Sequence, residues 1–423
     1  MSILIKNGDV LTKKGLKRAD VLIEGGRIKK IAPAIEIKAD KVIDAAGLTV
    51  MPAFIDMHCH LREPGYEYKE SIKSGGKAAV AGGFSTVCCM PNTNPPLDNG
   101  PLISYVVNKA KEIGIAKVYP IGAITKGRNG AELAEMGFMK EAGAIAVSDD
   151  GSPVANSAVM RSALEYAATV GLPVISHCED KELSGDGTVN EGYNATVAGL
   201  KGITRAAEEV MIARDIVLAE TLCVPVHIAH VSTKGGVQLI REAKKRGVKV
   251  TCETCPHYFS ATDAEILNYN TSAKINPPLR EKADTEAVMK GLANGAIDVI
   301  ATDHAPHNAD SKSVEFNLAE SGTTGLETAF ALANTYLVGN KIVDISGLSR
   351  LMSARPAEIL GLTGTGEIAE DNTADITIVD LNKKWKVDKD KMLSKSKNTL
   401  FHGRELTGKV VCTIVDGIVK YGN

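Results

Sequence analysis

Short apolar runs recur along the chain at 53–57, 84–89, 117–121, 144–148, 172–176, 225–229, 248–252 and 297–302. Between them lie Ala-, Lys- and Glu-bearing stretches of helical length, such as 156–170, 205–222 and 234–246. Runs of this length alternating with helices predict βα units, and eight of them predict a (β/α)8 TIM-like barrel. An open doubly wound sheet is the alternative, but no Gly-x-Gly-x-x-Gly follows the first run. The two ends read differently. Residues 3–5, 21–23, 27–31 and 41–43 are short and rich in β-branched side chains, with Glu24-Gly25-Gly26 as a hairpin turn. Residues 375–379, 410–415 and 418–421 repeat that character around the turn Asp416-Gly417. Each half-sheet would expose an apolar face, so the two are expected to pack as one small β-sandwich domain formed from both chain ends. The expected division is 1–51 and 363–423 for that domain and 52–362 for the barrel.

Composition narrows the picture by exclusion. With 423 residues, 44% hydrophobic and 24% charged, the chain can bury a large core. Its 49 Lys and Arg against 51 Asp and Glu leave a net charge of −2 with no long run of one sign, so nucleic acid and anionic membranes are not expected as partners. The first twenty residues carry several lysines and no signal-length apolar core, and no stretch approaches the ~20 apolar residues of a membrane span. A cytoplasmic protein is expected. Its eight cysteines are scattered, which reads as buried and reduced thiols rather than a disulfide framework; Cys252-x-x-Cys255 lacks the second pair that a zinc ribbon needs.

The chemistry sits after the apolar runs. His58 and His60 follow the first; because strand side chains alternate faces, both point to one side and can share an ion, while Met57 and Cys59 face away. Asp149-Asp150 follows the fourth run, His177 the fifth, His230 the sixth, within which His227 lies, and Asp303, His304 and His307 the eighth. A barrel places its active site at the carboxyl ends of its strands, so these side chains converge on one mouth. Four imidazoles with two carboxylates suit zinc, and a carboxylate able to bridge admits two ions. His227 reads as a structural neighbour of His230, which lies further out along the run. Arg62, two residues beyond His60, suits bidentate binding of a substrate carboxylate.

These motifs resemble the amidohydrolase superfamily and, more closely, the class I dihydroorotases, over nearly the whole chain. Asp56-Met57-His58-Cys59-His60-Leu61-Arg62-Glu63-Pro64-Gly65 is similar to that family's first signature, and Ala301-Thr302-Asp303-His304-Ala305-Pro306-His307 with Lys312 to its second. Met90-Pro91-Asn92-Thr93-Asn94-Pro95-Pro96 and Asn276-Pro277-Pro278-Leu279-Arg280 also look like family segments. The resemblance implies reversible cyclisation of N-carbamoyl-L-aspartate to L-dihydroorotate, a step of pyrimidine biosynthesis. It implies two zinc ions per chain, one held by His58, His60 and Asp303 and the other by His177 and His230. Asp150 and a hydroxide would bridge them, the hydroxide as nucleophile and Asp303 as general acid and base. Asn92 and His307 would join Arg62 on the substrate carboxylate, with Asn276 and the backbone at Ser321-Gly322 holding the ring.

Many amidohydrolases bridge their metals with a carbamylated lysine after the fourth strand, and residues 146–151 contain no lysine. That departure weighs against the nearest rivals, a hydantoinase or an allantoinase. A rival of another class is an inactive scaffold for aspartate carbamoyltransferase, although the full ligand set is present. Homodimerisation and association with that transferase are both left open as partnerships beyond the small-molecule substrate. Residues 308–324 are polar and depart from the family pattern, and they are expected to form a mobile loop.

Overall fold

Strands β1 (Ser2–Thr12), β2 (Gly15–Glu24), β3 (Arg27–Ala32), β4 (Lys41–Asp44) and β5 (Thr49–Pro52) open the chain in a computed structural model that describes residues 2–422. Eight short strands follow at the predicted runs: β6 (Phe54–Cys59), β7 (Phe84–Cys89), β8 (Lys117–Gly122), β9 (Ala146–Val147), β10 (Ile175–Ser176), β13 (Val226–Ile228), β14 (Val250–Thr254) and β15 (Val299–Ile300). An excursion that the sequence pattern did not reveal, the parallel pair β11 (Val189–Asn190) and β12 (Gly202–Ile203), interrupts the series after β10. Strands β16 (Ile376–Lys386), β17 (Glu405–Val415) and β18 (Ile418–Tyr421) close the chain.

The eight central strands run parallel in the orders β6-β7-β8-β9 and β10-β13-β14-β15. Parallel bridges Val147↔Val174 and Cys59↔His304 join the two arcs, closing the barrel. Its helices follow local chemistry. In Ser157–Val170 the Asn156 side chain accepts from Ala158 N and Val159 N, and Gly171 ends the helix at φ 71°, a left-handed conformation that glycine adopts without steric cost. Met160, Ala163, Leu164 and Ala167 fall at helical spacing on its buried face. Removing such an N-cap costs ~1 kcal/mol.

The two chain ends do more than pack together. β5 pairs antiparallel with β16, from Ile376↔Pro52 to Val379↔Thr49, so one hydrogen-bonded sheet runs β18-β17-β16-β5-β1-β2-β3. β4 pairs with the first half of β1 and β5 with its second half, and the sheet divides there. Ile3, Ile5, Val21 and Ile23 from one end share a core with Ile376, Ile378 and Ile414 from the other. Between β16 and β17 the chain leaves this sheet and runs up against the barrel, where Ser394 Oγ bonds Glu70 and Ser396 Oγ bonds the Lys69 carbonyl. All eight cysteines are free, and all but Cys223 are buried. Among the described residues no helix is long and apolar enough to cross a membrane.

Candidate active site

The strand ends deliver their polar side chains to one place. Asp150 Oδ1 lies 3.4 Å from His58 Nε2, 3.3 Å from His177 Nδ1 and 3.5 Å from His230 Nε2, while Asp150 Oδ2 lies 3.6 Å from His60 Nε2. Asp303 Oδ1 is 3.0 Å from His60 Nε2 and 3.7 Å from His58 Nε2. One carboxylate thus stands among four imidazoles with a second at its side. His58, His60 and Asp303 offer three donor atoms within 4.8 Å of one another, as do His58, Asp150 and His230. Buried His58 Nε2 has no hydrogen-bond partner, and His177 Nδ1 and His230 Nε2 face each other at 2.7 Å. Inward nitrogens crowded around carboxylates, one of them orphaned, fit divalent cations. A third group, Cys255, His257 and Asp303, shares Asp303 with the first.

Outer partners orient these rings. His58 Nδ1 lies 2.7 Å from Glu253 Oε1, His60 Nδ1 2.9 Å from Asn92 Oδ1, and His177 Nε2 3.1 Å from Glu179 Oε2. If each outer nitrogen carries the proton and donates it, each inward nitrogen presents a lone pair, the arrangement metal-ligating histidines use. Glu253 is fully buried on β14; burial opposes its charge, but His227 and His58 outweigh that and hold it down at about 2. His227 spends its ring on Thr251 and Glu253 and does not reach Asp150, in keeping with its reading as a structural residue. Burial likewise opposes the Asp303 carboxylate, yet the His60 hydrogen bond and the surrounding imidazoles keep it below the usual carboxylate range. Beneath it Asp56 accepts from Thr302 N (2.9 Å) and Thr302 Oγ1 (2.6 Å), anchoring the end of β15.

Backbone conformation contributes as well. Arg62, His230 and Asp303 sit at φ 61°, 34° and 43°, a region that costs a non-glycine residue ~1–3 kcal/mol and is commonest at functional sites. Above them opens a cavity of about 460 Å³, lined by every predicted site residue except His58, which is fully buried behind the others. Arg62 Nη2 is 3.2 Å from His307 Nε2, and that nitrogen is 2.9 Å from the Ser321 carbonyl. Burial and then Arg62 push the His307 imidazole far down, so it stays neutral. A Cβ on Gly322 would fall 2.8 Å from the Ala305 carbonyl oxygen, so only glycine fits there.

Two predicted residues have further partners. Asn92 Nδ2 reaches Asp150 Oδ2 at 3.4 Å, so its amide touches both metal-type ligands His60 and Asp150; Asn276 Nδ2 donates to Glu179 at 3.0 Å. Residues 308–324 are tied down, in contrast to the mobile loop expected from their polarity. Lys312 Nζ donates to the carbonyls of Thr271 (2.9 Å) and Glu320 (2.5 Å), and Gly322 N to that of Lys274 (2.8 Å). Lys274 and Lys181 add cationic groups at the mouth that the sequence reading passed over. Glu253 had one available signal, a charge inside an apolar central strand, which must be paired.

A closed (β/α)8 barrel with this constellation at its mouth and a sandwich built from both chain ends defines a hydrolase of the amidohydrolase class. The Dihydro-orotase-like family matches residues 47–236. The chain is 54% identical over 419 residues to the dihydroorotase of Acetivibrio thermocellus, covering 99% of this chain and 98% of that protein. It is 53% identical over 424 residues to the dihydroorotase of Trichlorobacter lovleyi, covering 100% and 99%. Among solved structures, the L-hydantoinase (dihydropyrimidinase) of Arthrobacter aurescens superimposes with a TM-score of 0.88 at 25% identity, covering 99% of this chain and 95% of that one. Identity of this extent over the full length places the chain in the dihydroorotase family, whose members hydrolyse cyclic amide bonds.

Proposed function

We propose that this chain catalyses the reversible cyclisation of N-carbamoyl-L-aspartate to L-dihydroorotate. The observation that carries the reading is the Asp150 carboxylate standing among four imidazoles, with Asp303 beside it and Arg62 above. His58, His60 and Asp303 would hold one zinc, His177 and His230 the other, and Asp150 would bridge them. Zinc held there supplies Lewis acidity, bringing the pKa of a shared water toward ~7 and polarising the amide carbonyl.

The chain's own groups then have these tasks. Asp303, ionised and 3.0 Å from His60 Nε2, takes the proton of the attacking water during ring opening and delivers it to the departing ring nitrogen. In ring closure the same carboxylate takes the proton from the attacking ureido nitrogen. Arg62 forks onto the substrate carboxylate. Neutral His307 and Asn92 complete that receptor, and Asn276 with the backbone at Ser321 and Gly322 hold the ring. Residues 52–362 would form the catalytic unit and 1–51 with 363–423 the sandwich. The reading places the enzyme in the cytoplasm, and sizing it alone and mixed with aspartate carbamoyltransferase tests the two partnerships left open.

The direct test is turnover of dihydroorotate against hydantoin and allantoin by zinc-loaded protein, with zinc counted per chain. Turnover of dihydroorotate alone, with two zinc ions, is expected. Preference for hydantoin or allantoin would move the chain to the rival class, and a zinc-loaded protein that turned over none of them would leave a scaffold.

A further inference from the structure

The substrate rim is assembled from two walls that lie far apart in the chain. One is the turn after β15, residues 305–307; the other is the polar stretch 321–324. A side chain outside the barrel joins them. Asn398 lies in the excursion between β16 and β17, is 6% exposed, and touches both walls. Its Oδ1 accepts the His307 N–H at 3.0 Å, and its Nδ2 donates to the Ala305 carbonyl at 3.0 Å and the Gly322 carbonyl at 3.1 Å. Its own main-chain carbonyl accepts from Thr324 N (3.2 Å) and Thr323 Oγ1 (3.1 Å). Both amide hydrogens and the amide oxygen are committed, so the contact has one geometry.

That geometry sets the spacing of the pocket. Gly322 is packed so tightly on Ala305 that no Cβ fits, and His307 reaches across to the Ser321 carbonyl. The excursion is itself anchored, through Ser394 and Lys395 on Glu70 and through Leu393 N on Glu327, so Asn398 is presented from a fixed support. We infer that Asn398 is a positioning residue for substrate binding, holding the His307 backbone and the Gly322 carbonyl in register so that the carboxylate receptor and the ring contact keep their separation. The inference rests on the assignment of His307 and Gly322 to the substrate pocket. Asn398 touches none of the proposed metal ligands, so the loss should fall on binding rather than on the chemical step.

The test is steady-state kinetics on dihydroorotate with full-length, zinc-loaded Asn398→Ala and Asn398→Asp, and His307→Ala as a reference. The Asp variant keeps the acceptor for His307 N–H but sets a carboxylate oxygen against two carbonyls, so it should be the worse of the two. Expected are a KM raised about tenfold or more in both Asn398 variants, a kcat lowered by less than about threefold, and unchanged zinc content. A KM raised less than about fivefold, a fall in kcat larger than the rise in KM, or failure of both variants to fold would overturn the inference, because each assigns Asn398 to general stability. Should His307→Ala also leave KM unchanged, the substrate-pocket reading fails; should it raise KM while the Asn398 variants do not, this inference alone falls.

Discussion

The inner centre and the outer rim of the mouth are built on different plans. In the centre, side chains leave strand ends and are oriented by other side chains: Glu253 on His58, Asn92 on His60, Glu179 on His177. At the rim the groups leave loops and are held through main-chain atoms, by Asn398, Lys312 and the Lys274 carbonyl. The centre is therefore fixed by strand ends and by the side chains packed behind them. The rim depends on segments that can change without disturbing a strand. A hydantoinase shares this barrel, so the frame alone does not choose the amide, and the choice falls to the groups at the mouth.

The contrast breaks most visibly at Asp303. If the centre carries the chemistry, Asp303→Asn should lower kcat about 10³-fold, within the range for general acid–base catalysis, while the protein still folds. A scaffold would be indifferent. Chelation should likewise abolish turnover, and added zinc should restore it. The outer partners come next. Glu253→Gln removes the carboxylate behind His58 without changing size, and zinc affinity should fall about 10–100-fold by competition with a chromophoric chelator. Affinity that stayed put would mean the strand alone orients His58. At the rim, Arg62→Lys exchanges a planar fork for a point charge and should raise KM about tenfold with kcat within about threefold. If kcat collapsed instead, rim and centre would not be separable functions.

How much of this was legible in the sequence follows the same division. The eight barrel strands announce themselves because each is a buried parallel strand and reads as an unbroken apolar run, and His58, His60, Asp150, His177, His230 and Asp303 stand where those runs end. The pairing of β5 with β16 was only half visible: both ends read as β, but nothing local says that they share hydrogen bonds. Glu253 lay in view inside Cys252-Glu253-Thr254-Cys255, overshadowed by its flanking cysteines. Asn398 was opaque, and Lys312 was visible only as part of a signature and not by its task, because their partners are main-chain carbonyls and N–H groups, which every residue possesses and no side-chain pattern marks. Polarity at 308–324 suggested a mobile loop, since a sequence cannot distinguish a polar side chain bound to buried backbone from one bound to water.

The smallest expected effect separates the two regions by pH. Without metal, burial opposes a charge on His177, but Asp150 and Glu179 outweigh it and raise the imidazole to about 9. A histidine whose folded value exceeds the unfolded one, near ~6.5, stabilises the fold fully below that pH and loses the contribution as pH rises through about 9. At the rim the sign is opposite. Burial, then Lys274, lowers Lys312 to about 7, so the charged form is disfavoured in the fold and stability grows as pH rises from about 7 toward the free lysine value. If His177 holds zinc as proposed, the ion displaces its proton but leaves Lys312 alone, so the lysine contribution cancels between metal-free and zinc-loaded protein. The difference in Tm between the two forms should therefore widen by several degrees from pH 6.5 to 9. A constant difference would mean that His177 carries no extra proton in the metal-free protein, and the centre would then be held neutral by its outer carboxylates alone.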